Sequence, residues 1–280
     1  MSNFIKTWIL MIVLTALFVW FGGVLGGREG AVTAFMLAAA MNFFAYFFSD
    51  KMVLRKYGAR EVDAQSASKL YGIVARLAER ADLPMPKVYV IPDRVPNAFA
   101  TGRNPRHAAV AATEGIIEIL DDDELAGVMA HELAHVKHRD ILTGTIAATV
   151  AGALAMLGRF AASGQGQQSS RNPIAYLLAA VGAPVAAMII RMTISRVREF
   201  AADEGGAEIS GRPDGLADAL IKISGVGRQR GILRHLNSAH AHMFIANPLR
   251  GGGGLASLFS SHPPMEERVR RLRAMTVSSG

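Results

Sequence analysis

The chain has 280 residues, 51% of them hydrophobic, and 30 Lys and Arg against 23 Asp and Glu give a net charge of +7. It contains no cysteine, which excludes disulfides, thiolate chemistry and any Cys-ligated metal, and fits a reducing compartment. The basic residues gather beside long apolar runs (Lys51, Arg55, Lys56; Arg191, Arg196, Arg198) with few aromatics interleaved, which argues for an anionic membrane surface and against a nucleic-acid partner.

Residues 7–25 carry no charge and are long enough to span a bilayer. A cleaved signal peptide is the competing reading, because Lys6 supplies a basic start. Against it, the stretch exceeds a signal core, no small-residue cleavage site follows, and a second uncharged run begins at Ala31. Runs 7–25 and 31–48 therefore read as a helical hairpin with a loop at 26–30. Basic residues follow the second run, so the positive-inside rule puts the N-terminus and everything after Asp50 in the cytoplasm.

Residues 61–81 read as one helix, with Val62, Leu70, Ile73, Val74, Leu77 and Ala78 at roughly helical spacing and Pro84 and Pro86 beyond its end. Segments 87–91, 97–101 and 107–112 have strand character between turn residues, which predicts a small β-meander. Asp121-Asp122-Asp123-Glu124 has capping-box spacing and opens a helix that runs to about Arg139. Two more apolar runs, 141–157 and 174–190, are rich in small residues and fit either membrane spans or a buried core hairpin. Between them, 163–172 reads as an exposed loop. A polar helix then runs from Arg191 to about Glu208, followed by a helix-rich remainder with a flexible stretch at 251–254 and a basic last helix at 266–273.

The chemistry centres on His131-Glu132-Leu133-Ala134-His135. Spacing of four puts both imidazoles on one helix face, where both reach one zinc ion. Glu132 lies roughly 100° round the helix, placed to take a proton from a water near the metal rather than to ligate it. A pair of surface histidines on a solvated helix is the bland alternative. A catalytic zinc needs a third protein ligand, and Glu199 on the later polar helix is the candidate. Asp203, one turn on, is placed to accept the second ring hydrogen of a ligating histidine. Glu204 and Glu208 compete with Glu199 as parts of an ordinary solvated acidic face, and His138 reads as a bystander.

These motifs, taken in order, resemble the HtpX-type membrane heat-shock proteases, within the larger group that includes the CAAX prenyl endopeptidases. The resemblance covers nearly the whole chain: two N-terminal apolar spans, 96–102 (Pro-Asn-Ala-Phe-Ala-Thr-Gly), the H-E-L-A-H helix, two apolar runs, 195–203 ending in Glu199 and Asp203, and 261–268. It implies a gluzincin-like, mainly helical α+β protease with up to four transmembrane helices, one zinc per chain and endopeptidase activity on misfolded or membrane proteins in quality control. It supports His131, His135 and Glu199 as ligands, Glu132 as base and Asp203 behind them. It further implies transition-state stabilisation by His262 and Arg268, and a substrate strand at Asn97, Ala98, Phe99 and Ala100 beside the cleft.

The expected organisation is a membrane hairpin (1–50), a first protease part (51–140), a second apolar hairpin (141–190) and a second protease part (191–280). The chain is expected in a bacterial inner membrane, multi-pass, with the lipid bilayer and protein or peptide substrates as partners. If the zinc helix continues into the third run, His135 lies roughly 9 Å ahead of Ile141, and the metal sits close over the cytoplasmic face. A dedicated peptide-processing peptidase and a non-catalytic scaffold with a structural zinc remain the rival functions, and the oligomeric state is open.

Overall fold

The computed structural model describes residues 3–142, 196–229 and 263–275. Most of both later apolar runs, the loop 163–172, the stretch 251–254 and His262 lie outside the described residues.

Helix α1 (Asn3–Lys56) is broken at Gly26 (φ −138°, ψ 19°) and Gly27 (φ 59°, ψ −144°). The reversal is thus confined to two residues of the expected 26–30 loop, and the positive φ at Gly27 suits a residue without a Cβ. The two arms lie side by side: Asn42 Nδ2 donates to Thr15 Oγ1 at 2.8 Å, 27 residues away. Within α1, Gly26–Phe48 is long and apolar enough to cross a bilayer, and only Ala38 and Ala45 in it are buried inside the protein. Trp8, Trp20, Phe35, Phe43, Phe44 and Phe47 are all exposed. So many outward apolar side chains on one hairpin fit a lipid environment rather than water.

Strands β1 (Arg60–Val62), β2 (Lys87–Ile91), β3 (Ala98–Gly102) and β4 (Ala108–Thr113) form one sheet in the order β1-β2-β4-β3. β2 and β4 pair in parallel, so the expected meander does not form. The reason lies in β4, Ala-Ala-Val-Ala-Ala-Thr, which is buried along its whole length. A strand apolar on both faces belongs in the middle of a sheet. The chain therefore carries β3 past it to the edge and returns antiparallel. Residues 61–81 also depart from the single expected helix. Asp63 accepts hydrogen bonds from the backbone N–H groups of Gln65 and Ser66, a local turn that competes with helix formation. Arg60–Val62 is thereby left to pair with β2, and α2 starts at Ser68 (Ser68–Arg80).

Side-chain alternation then divides the sheet. Val88, Ala98, Val110 and Ala112 pack into the main core with α2 and α4 (Asp122–Lys137). Ile91, Phe99, Ala109 and Ala111 pack on Val53 and Leu54 at the end of α1. The sheet thus ties the apolar hairpin to α4, the helix that carries His131 and His135.

α3 (Glu114–Ile119) leads into α4, which is the hub. Its capping box is complete: Asp121 Oδ1 accepts from the Glu124 N–H, and Glu124 Oε2 accepts from the Asp121 N–H, both at 2.9 Å. Leu125, Val128, Met129, Ala130, Leu133 and Ala134 have no exposed surface, as in a helix surrounded on all sides. Around it pack α2, α5 (Arg196–Ser210) and α6 (Pro213–Gln229), with α7 (Met265–Arg273) behind α5 and α6. α5 comes so close that a Cβ on Gly206 would stand 2.9 Å from the His131 backbone. α4 ends at Lys137, and Arg139 takes a positive φ of 58° before the helix resumes at Ile141. The helix thus ends close to the expected Arg139, and the condition under which it would run on into the third apolar stretch is not met, because the chain turns first.

Candidate metal centre

The helical period brings His131 and His135 together, with ring centroids 4.8 Å apart. Packing of α5 on α4 adds Glu199. Its Oε2 lies 3.8 Å from His131 Nε2 and its Oε1 3.8 Å from His135 Nε2. The three ligand atoms all fall within 4.8 Å of one another, the one such convergence of His, Asp or Glu among the described residues. His131 is fully buried, and its Nε2 has no hydrogen-bond partner. Leaving such an atom unsatisfied costs about 1–3 kcal/mol, and a cation at this point would relieve it. Two imidazole nitrogens and one carboxylate oxygen form the donor set of a catalytic zinc, so the residues fit the ion. The competitors Glu204 and Glu208 are exposed, as is His138.

The surrounding groups hold these side chains in place. Glu132 is 7% exposed, and its Oε2 accepts the Ala100 N–H of β3 at 2.9 Å. One carboxylate oxygen is thereby fixed at the sheet edge. Asp203 Oδ1 stands 3.0 Å from His131 Nδ1, a close charge–dipole contact that lies off the hydrogen-bonding line. Arg268, fully buried, grips Asp203 with Nε at 2.8 Å and Nη2 at 2.6 Å. Burial pushes the Asp203 pKa up, but Arg268 and His131 outweigh it and hold it at about 2. On the other histidine, Nδ1 meets Asp140 Oδ2 at 3.2 Å. Burial resists a proton on His135, yet Asp140, Glu199 and Glu132 overcome it and push the pKa up to about 9. A site that draws a proton this strongly is electrostatically prepared for a cation.

Of the other expected residues, Asn97 is buried and donates its N–H to Thr113 Oγ1. Ala98 and Ala100 face α4, whereas Phe99 points to the opposite face, against Tyr57 with ring centroids 5.6 Å apart. Arg268 is bound to Asp203 at the back of the histidine. Asp140 and the close approach at Gly206 were not legible in the sequence. The predicted helix end near Arg139 gave no sign that Asp140 would fold back onto His135, whereas Gly205-Gly206 inside a predicted helix was a signal of close packing.

A hub helix with one buried and one half-buried histidine, a glutamate from a second helix and an apolar N-terminal hairpin together define a membrane-bound metalloprotease. Comparison with known proteins gives the family. Residues 64–276 match Peptidase family M48, and the chain belongs to it. It is 57% identical to the protease HtpX homolog of Methylibium petroleiphilum over 281 residues, 98% of each chain. With the protease HtpX homolog of Syntrophotalea carbinolica it shares 54% over 282 residues, 98% of this chain and 99% of that one. In fold it is similar to the crystal structure of S. mikatae Ste24p, with a TM-score of 0.52 and 17% identity over 96% of this chain and 67% of that one.

Proposed function

We propose that the chain is a zinc-dependent endopeptidase that cleaves misfolded or membrane proteins in quality control, with one zinc held by His131, His135 and Glu199. The observation that carries this reading is the convergence of those three ligand atoms beside a buried, unpartnered His131 Nε2. When bound, zinc supplies the Lewis acidity that polarises the scissile carbonyl and acidifies the attacking water. Glu132 takes the water's proton on Oε1, its Oε2 being fixed by Ala100, and returns it to the departing amine. Asp203, gripped by Arg268, orients His131. Arg268 therefore acts through Asp203, in place of the direct oxyanion role that the family resemblance implied.

Substrate adds to the β3 edge. Thr113 N–H donates to the Asn97 carbonyl at 2.9 Å, so the residues of β3 that exchange bonds with β4 are 97, 99 and 101, and the backbone of Ala98 and Ala100 turns outward. An extended peptide pairs there with Ala98 and the Ala100 carbonyl, next to Glu132, which holds the Ala100 N–H.

In this reading 1–50 is the membrane hairpin, 141–190 a second membrane hairpin, and 51–140 with 191–280 the protease domain on the cytoplasmic side of a bacterial inner membrane. The end of α1 packs against the sheet that holds β3, which supports a cleft close to the bilayer. Cleavage of an unfolded casein-type substrate by zinc-loaded protein in detergent tests the proposal. Glu132→Gln keeps the size and the metal but should lower the rate at least about 100-fold. Residual cleavage near the wild-type rate in a zinc-loaded Glu132→Gln protein would remove Glu132 from the mechanism.

A further inference from the structure

We infer that Asp140 is the positioning residue of His135 and is itself anchored by Arg198, so that each metal-binding histidine has its own arginine-backed carboxylate. This rests on the metal site proposed above. α4 stops at Lys137, and Arg139 adopts a positive φ of 58°, uncommon for any residue but glycine. That turn folds the chain back on the helix end. The Asp140 N–H donates to the His135 carbonyl at 2.9 Å, and its side chain, 7% exposed, reaches His135 Nδ1 with Oδ2 at 3.2 Å. Its other oxygen, Oδ1, lies 3.9 Å from Nη1 of Arg198, the residue just before Glu199.

An imidazole has two inequivalent nitrogens, and the bond made by one decides what the other offers. With Nδ1–H donated to Asp140, the Nε2 lone pair is directed at the point faced by Glu199 Oε1, 3.8 Å away. The same contact stops the ring from turning about its χ2 axis. Asp203 reaches from α5 to His131 on α4, whereas Asp140, at the end of α4, reaches Arg198 on α5. The two links cross the same helix seam in opposite senses, and together they fix all three ligands as one unit.

The test is zinc affinity of the full chain in detergent, measured by competition with a chromophoric chelator, together with the visible spectrum of the cobalt(II)-loaded protein. Asp140→Ala should bind zinc about 10- to 100-fold more weakly. Asp140→Asn, whose amide oxygen still accepts from Nδ1–H, should recover to within about tenfold of wild type. Asp214→Ala, which removes an exposed carboxylate paired with Arg273, should change neither affinity nor spectrum. Zinc affinity in a folded Asp140→Ala within twofold of wild type would overturn the inference while leaving the metal site standing. Absence of zinc binding by the wild-type chain would overturn both. Should Asp140→Ala fail to fold, Asp140→Leu, which fills the same space but accepts no hydrogen bond, takes its place: zinc bound about 10- to 100-fold more weakly upholds the inference, and affinity within twofold of wild type overturns it.

Discussion

Gly206→Ala tests how the third ligand is delivered. A Cβ there would lie 2.9 Å from both N and Cα of His131 and 3.3 Å from the carbonyl carbon of Ala130. Carbon contacts are comfortable at about 3.5–4.0 Å. The crowded atoms are backbone, so α5 must retreat from α4 by roughly 0.6–1 Å. That retreat moves the helix bearing Glu199 and Asp203. The 3.8 Å Glu199 separations and the 3.0 Å Asp203–His131 contact all lengthen together. Alanine gains about 1 kcal/mol of helix propensity over glycine, and overpacking costs about 1–3 kcal/mol. The net destabilisation is therefore small, about 1 kcal/mol, and thermal unfolding by circular dichroism should show a modest loss. Hydrolysis should fall much further, because a misplacement of about 1 Å costs on the order of 100-fold. Gly225→Ala, where an added Cβ meets nothing within 4 Å, is the matched control and should be slightly stabilised. A Gly206→Ala protein with the metal content and rate of the Gly225→Ala control would refute the argument.

Glu199→Ala should strip most of the zinc, measured as metal per chain after dialysis, while Glu204→Ala on the exposed side of α5 should keep it. The Asp203 pKa is lowered from 3.8 to about 2 in the folded chain, so its contribution to stability is full above about pH 4 and is lost as the pH falls through 2. The stability gap between wild type and Asp203→Asn in an acid titration followed by circular dichroism should therefore close between about pH 4 and 2. For topology, single cysteines at Arg28 and Gln167 should both react with an impermeant thiol reagent from outside, and one at Gln65 only after permeabilisation, without background because the native chain has no cysteine. Protection of Gln167 alongside a reactive Arg28 would leave α1 as the spanning element and remove the second membrane hairpin.

What the sequence determined by itself is what repeats locally. The spacing of His131 and His135 needs only the helical period, and the Asp121–Glu124 capping box needs only four consecutive residues and their own backbone. The apolar arms of α1 and the strand character of 87–91 were legible for the same reason: each is carried by neighbouring residues and the turn residues that bound them. Sheet order was not legible, because the central place of β4 depends on which faces α1, α2 and α4 cover. Glu199 rather than Glu204 faces the two histidines because of the side of α5 that lies against α4, where Gly206 admits the His131 backbone. Arg268 meets Asp203 across 65 residues, and Asp140 meets His135 only because the chain turns at Arg139. Such contacts arise from steric fit between distant segments, which no local pattern encodes.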